Sequence, residues 1–110
     1  MIVFYSLKAS DTEIIQECAE FKAMSYDYDF GCAIITLNGD YDDIWLPMNY
    51  LEYQKMYINI KTAIFRNNIS AFEIHGICLG YDLDWDNDED KEYLKSLLQN
   101  LKTPKYELEF

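Results

Sequence analysis

An Asn-Gly pair set between two apolar runs constrains this chain more than any other feature. Residues 32–37 read CAIITL, residues 38–40 read NGD and residues 41–46 read YDDIWL. Both residues of an Asn-Gly pair accept positive φ, so the pair turns one strand back along the next with the twist a hairpin needs. Two antiparallel strands are therefore expected over 32–37 and 41–46. Pro47 brings no N–H to a ladder and ends the second of them. Asn49 and Glu52 then stand three residues apart as a capping box, which starts a helix. Along it Leu51, Ile58 and Phe65 recur every seven residues, and Met56, Ile60, Ala63 and Ile64 widen them into an apolar stripe. Asn67 and Asn68 suit its end, because Asn tolerates the left-handed conformation.

The flanking sequence extends this pattern. Residues 2–7, IVFYSL, are apolar on both alternating faces and read as a buried strand. Ser10 and Glu13 form an earlier capping box. Ile14, Ile15, Cys18, Ala19 and Phe21 would be the inner stripe of the helix it starts, with Glu13, Glu17 and Glu20 toward solvent. Residues 25–30, SYDYDF, closed by Gly31, read as a loop. Residues 71–83 form a long strand with Gly76 at a bulge. Residues 88–101 form a third helix with Leu94, Leu97, Leu98 and Leu101 in phase, N-capped by Asp86 or Asp88. Thr103 and Pro104 break it, and KYELEF adds a short edge strand. The expected order is β-α-β-β-α-β-α-(β). That is a mixed α/β (α+β) single domain over residues 1–110, with one mixed sheet of four to five strands packed by three helices. There is no repeat, linker or low-complexity tail.

A chain of 110 residues, half of them hydrophobic, buries a core and folds alone. No apolar run approaches the roughly 20 residues needed to cross a bilayer. The opening MIVFYSLKASDTE is too short and too early-charged for a signal peptide, so a cytoplasmic location without a membrane partner is expected. Cys18, Cys32 and Cys78 are odd in number, far apart and set in apolar sequence, which fits three buried thiols rather than a disulfide framework.

Known chemistries find little purchase. The single histidine, His75, lies inside a strand, where a general base would still need an oriented partner. The chain has no GxSxG, HExxH, P-loop or GxGxxG pattern. No catalytic residue, cofactor or metal is therefore expected, and the chain is not read as an enzyme. The alternating acids of GYDLDWDNDED, residues 80–90, fail as an EF-hand in both registers. Counting from Asp82, the turn glycine is replaced by Asn87 and the twelfth residue is Tyr93. Counting from Asp84, these are Glu89 and Lys95.

Charge is the loudest signal. Twenty acids oppose nine bases, for a net charge of −11, which repels nucleic acid and draws the chain toward basic surfaces. Residues 1–54 hold ten of the acids and residues 80–90 hold six with no base, whereas residues 55–79 are mildly basic. Asp88, Glu89 and Asp90 serve the dipole of the helix they begin. Asp82 and Asp84 precede it, where no dipole calls for them, and Trp85 sits in their midst. YDYDF and YDD repeat the pairing of aromatic rings with carboxylates. Such a surface offers rings for contact area and carboxylates for arginine or lysine.

GYDLDWDNDEDKEYL, with the upstream NGDYDDIWLP, resembles the immunity proteins of bacterial contact-dependent growth inhibition systems. The likeness is one of size, charge and texture over the whole chain. It implies a protein that binds one cognate toxin domain with a basic surface, a nuclease acting on transfer RNA or DNA, and occludes its substrate cleft. The contact residues expected are Asp82, Asp84, Trp85, Asp86 and Asp88, with Tyr41, Asp42 and Asp43 second, and no direct contact to nucleic acid. The alternative is a phage-type nucleic-acid mimic that inhibits a CRISPR or restriction nuclease. A third class, an enzyme or small-molecule sensor, requires a pocket with convergent polar groups around His75.

Overall fold

The computed structural model describes residues 1–8, 13–66, 71–81, 85–101 and 105–109. Among them the elements run β1 (Ile2–Lys8), β2 (Ile14–Asp27), β3 (Cys32–Leu37), β4 (Asp43–Pro47), α1 (Tyr50–Phe65), β5 (Ala71–Tyr81), α2 (Asp88–Gln99) and β6 (Lys105–Glu109). The chain is thus one α+β domain with a mixed sheet, built from six strands and two helices among the described residues. The expected hairpin forms, but its second strand runs Asp43–Pro47 rather than over 41–46, and Tyr41 and Asp42 belong to the connection. β3 and β4 pair antiparallel, from Cys32 opposite Pro47 to Ile35 opposite Ile44, and Gly39 takes a φ of 103° in the connection.

The expected first helix is instead the longest strand. β2 pairs with β1 through residues 14–20 and with β3 through residues 21–27. The ladder is irregular between Phe21 and Ala23. Glu17, Ala19 and Phe21 point inward before that irregularity, and Met24 and Tyr26 after it. One extra residue switches the parity of the inward face. The period-2 pattern is broken and imitates a helical stripe. Glu17, expected in solvent, accepts a hydrogen bond from the Tyr5 hydroxyl at 3.0 Å. Residues 25–27 belong to β2, so the expected loop shrinks to the turn at residues 28–31. Of the Ser10–Glu13 capping box, residues 10–12 lie outside the described residues, as do Asn67, Asn68, Thr103 and Pro104.

The strand pairings form a closed cycle, β1-β2-β3-β4-β5 and back to β1. β1 runs parallel to β5 from Ile2 opposite Ala71 to Leu7 opposite Cys78, with a register shift across the segment that contains Gly76. β5 pairs antiparallel with β6 through residues 71–75 and with β4 through residues 79–81.

The two helices take opposite sides. Met56 and Ile60 of α1 join Val3, Tyr5, Ile35, Ile44, Leu46, Phe72 and Ile74 in the larger core. Leu94 and Leu98 of α2 join Cys32, Ile34, Trp45 and Leu79 in the smaller one. β3 and β4 are covered on both faces, which is why their sequences are apolar at nearly every position. β1 was expected to be buried on both faces. Val3 and Tyr5 are buried, but Ile2 and Phe4 are exposed, because α2 packs on the β3–β4 side and leaves this end of the sheet bare.

α1 starts at the expected capping box. The Asn49 side chain accepts from the Glu52 N–H at 2.8 Å, and the Asn49 N–H reaches the Glu52 carboxylate at 3.4 Å. Its expected stripe is corrected. Met56, Ile60 and Ala63 are buried, whereas Leu51 and Ile58 are each 61% exposed and Phe65 is 90% exposed. Seven-residue spacing marks a common face but not which face packs. None of the described helices is long and apolar enough to cross a membrane.

Truncation separates the two faces. Ile60→Ala should cost about 2–5 kcal/mol by urea denaturation, through the lost transfer energy and the cavity left behind. Ile58→Ala should stay within about 0.5 kcal/mol of the parent chain.

Candidate functional site

β4 begins where β5 ends. Asp43 lies directly opposite Tyr81, so segment 41–43 enters β4 at the end where β5 finishes. Tyr41 and Asp42 are exposed and Asp43 is half-buried. Asp82 and Asp84 lie outside the described residues. Asp86 and Asp88 are exposed, and Asp88 makes a loose 3.9 Å ion pair with Lys91.

Trp85 combines both roles considered for it. Its ring lies 6.1 Å from Phe30 and 6.3 Å from the buried Trp45, yet the residue is 53% exposed. It is anchored on one side and presented on the other. Asn87, rather than Asp86 or Asp88, caps α2. Its side chain accepts from the N–H groups of Glu89 and Asp90 at 3.0 and 3.2 Å. Asn is as good a cap as Asp, and this register puts Asp88, Glu89 and Asp90 in the first turn, where the dipole favours them.

A second aromatic group lies across the turn at residues 28–31. The Asp27 carboxylate accepts from the Phe30 N–H at 3.0 Å, and the Asp27 carbonyl accepts from the Gly31 N–H at 2.9 Å. Gly31 adopts a φ of 64°, which glycine tolerates best. The turn sends Phe30 to Trp45 and Trp85, and Tyr28 to the other side. There Tyr26, Tyr28, Tyr50 and Tyr53 stack with neighbouring centroids 5.1–6.0 Å apart, and Tyr57 continues the row at 5.9 Å. They line a groove of about 530 Å³ between β2 and α1, floored by Met24 and edged by Ile58. The Tyr26 hydroxyl donates to the Met48 carbonyl at 2.9 Å, and Tyr28 is 72% exposed.

Both aromatic groups already carry a cation. Lys61 Nζ lies 5.6 Å from the Tyr57 centroid and Lys95 Nζ lies 5.5 Å from that of Phe30, within the range of cation–π attraction. Burial, then the nearby Cys32, Glu52 and Asp27, raises the Tyr26 hydroxyl above its ordinary pKa. A hydrogen bond with Tyr50, then burial, does the same for Tyr28. The tyrosine row was not among the expected contact residues. Its signal was present in the sequence. Tyr50, Tyr53 and Tyr57 fall at i, i+3 and i+7 of one helix, and Tyr26 and Tyr28 at i and i+2 of the approaching chain.

His75 occupies a different place. It is exposed on the bare end of the sheet, beside an open concavity of about 540 Å³. Its Nε2 lies 3.8 Å from Glu73 and 3.5 Å from Glu107. Cys18, expected to be buried, is exposed nearby, while Cys32 and Cys78 are buried. Burial pushes both of those thiols from 9.0 to about 12, with a smaller contribution from Asp27 at Cys32.

No protein-family model matches the chain, and no curated protein or solved structure matches it either.

The thiols generate two predictions. Cys18 should react with a thiol reagent in the folded chain, and Cys32 and Cys78 only after unfolding. The folded state also holds these protons more tightly than the unfolded state. Stability is therefore fully present below the unfolded thiol value near 9 and is lost as pH rises toward about 12. The urea midpoint should fall steadily above pH 9.

Proposed function

We propose that this chain is a small acidic immunity protein, which binds a cognate toxin domain and neutralises it by occluding a basic substrate cleft. The toxin class that fits best is a nuclease acting on transfer RNA or DNA. The observation that carries this reading is the exposed surface around Trp85, which is anchored on Phe30 and Trp45 on one side and followed by the exposed Asp86, Asp88 and Glu89 at the start of α2. Carboxylates presented there meet the lysines and arginines that a nuclease uses for phosphate. Trp85 supplies an apolar anchor of the kind that dominates interfaces. The tyrosine groove widens the same chemistry around the Tyr28–Gly31 turn, with Asp27 and Glu52 close to Tyr26.

The mechanism is competition without catalysis. A net charge of −11 steers the chain toward a basic cleft and raises the association rate by about 10- to 1,000-fold at low ionic strength. Once docked, the rings exclude water, which strengthens the surrounding ion pairs and slows release.

A nucleic-acid mimic directed at a CRISPR or restriction nuclease would use the same physics. Such mimics spread negative charge over the whole body. Here α1 carries Lys55 and Lys61, with Arg66 at its end, beside Leu51, Ile58 and Phe65. That interruption of the negative charge by a basic and apolar stretch favours the immunity reading.

The test is recovery of the partner from the native host with the full chain as bait, at low and high salt. A basic nuclease domain bound one-to-one, and inhibited when bound, is expected. Against that partner, Trp85→Ala should weaken affinity by about 2 kcal/mol or more. Asp86→Asn combined with Asp88→Asn should mainly slow association and flatten its salt dependence. A CRISPR or restriction nuclease in the eluate would replace this reading with the mimic. If no protein is retained at either salt concentration, the inhibitor reading loses its basis.

A further inference from the structure

We propose that Glu73, His75 and Glu107 form a binding site for a divalent transition-metal ion, with zinc the best match. The placement follows from strand register. Glu73 and His75 stand at i and i+2 of β5, so they project from the same face. Glu107 of β6 lies directly opposite Glu73 in the antiparallel ladder, which puts it on that face as well. One ligand atom from each residue falls within 4.8 Å of the other two. The imidazole Nε2 is 3.5 Å from the Glu107 carboxylate and 3.8 Å from that of Glu73. Two donors bound to one tetrahedral zinc ion at about 2.0–2.1 Å are themselves roughly 3.4 Å apart. The two His75–carboxylate separations need only a few tenths of an ångström, and the two carboxylates, which lie within 4.8 Å of each other, would approach by up to about 1.4 Å to close the set.

Charge points the same way. Two carboxylates placed directly opposite each other across an antiparallel pair repel. A divalent cation between them turns that repulsion into attraction and matches the two negative charges. The donor set selects the metal class. Calcium takes six to eight oxygen donors and magnesium a near-ideal octahedron of them, whereas one imidazole with two carboxylates suits zinc and its first-row neighbours.

The surroundings leave room for chemistry at the open side. Glu73 and His75 form part of the wall of the 540 Å³ concavity, with Phe4, Ser6, Gln16 and Cys18 along the rest. Three protein ligands and an open fourth position facing a cavity is the arrangement of zinc sites that bind water or a small anionic ligand. This site shares no residue with the surface proposed for a protein partner and does not rest on that reading.

The experiment is calorimetric titration of ZnCl2 into the chelator-stripped full chain, repeated with MgCl2 and CaCl2. One zinc per chain is expected. NMR shifts should concentrate at Glu73, the His75 ring and Glu107, the melting temperature should rise, and magnesium or calcium should not compete at equal concentration. His75→Ala and Glu107→Gln should each weaken binding by at least about 10-fold. Asp86→Asn with Asp88→Asn should leave it unchanged. Both altered side chains of the triad are solvent-accessible, and circular dichroism checks that the variants fold. Absence of saturable zinc binding overturns the proposal. So does binding that survives His75→Ala, which would locate the ion on the acidic segment or on Cys18.

Discussion

The parallel pairing of β1 with β5 is the interaction on which the rest of the structure depends. Parallel neighbours cannot be joined by a tight turn and need a long crossover. Here the crossover spans β2, β3, β4 and α1, and the strands among them carry the ladder around until it closes on β1. That closure gathers Val3 and Tyr5 against Phe72, Ile74 and Cys78 in the larger core. It also removes most free strand edges, which protects a β-rich chain from pairing with copies of itself. The long β2 makes the closure possible by serving β1 with one half and β3 with the other, and its irregularity near Lys22 lets it bend between them.

From that frame follows the unequal covering of the sheet. α1 closes the larger core, and α2 protects only the side of β3 and β4 that holds Trp45 and Leu79. The exposed chemistry is therefore not spread evenly. Phe30 and Trp85 gather beside the buried Trp45, the tyrosines gather beside α1, and the Tyr28–Gly31 turn connects the two groups. The bare end of the sheet presents Phe4, Glu73, His75 and Glu107. Two surfaces of different chemistry result. One has rings and carboxylates, and the other has two carboxylates and an imidazole.

The acidic segment shows how local and global causes divide the same residues. Asp88, Glu89 and Asp90 are accounted for by the helix they begin, and Asn87 by its cap. Trp85 is accounted for by Phe30 and Trp45, which hold one side of its ring. What local structure does not require is that the acidic residues 41–43 enter β4 at the end where β5 finishes. That arises from β4 and β5 lying antiparallel with Asp43 against Tyr81.

Much of the architecture was legible because its causes are local. The Asn-Gly turn, Pro47, the Asn49–Glu52 capping box, the leucine phase of α2 and the terminal edge strand all act within a few residues, and each appears where the sequence places it. By itself the sequence also determined the charge and its concentration in two stretches. Tertiary structure decided the rest. Residues 14–27 carry a helical-looking stripe and become a strand, because ladder partners on β1 and β3 outweigh local periodicity and one extra residue disguises the alternation. Leu51, Ile58 and Phe65 share a face, but only the position of the sheet decided that Met56 and Ile60 pack instead. Glu73 and Glu107 lie far apart in the chain and meet only through the register of β5 and β6. Periodicity reports which residues share a face, but pairing and register decide what that face meets.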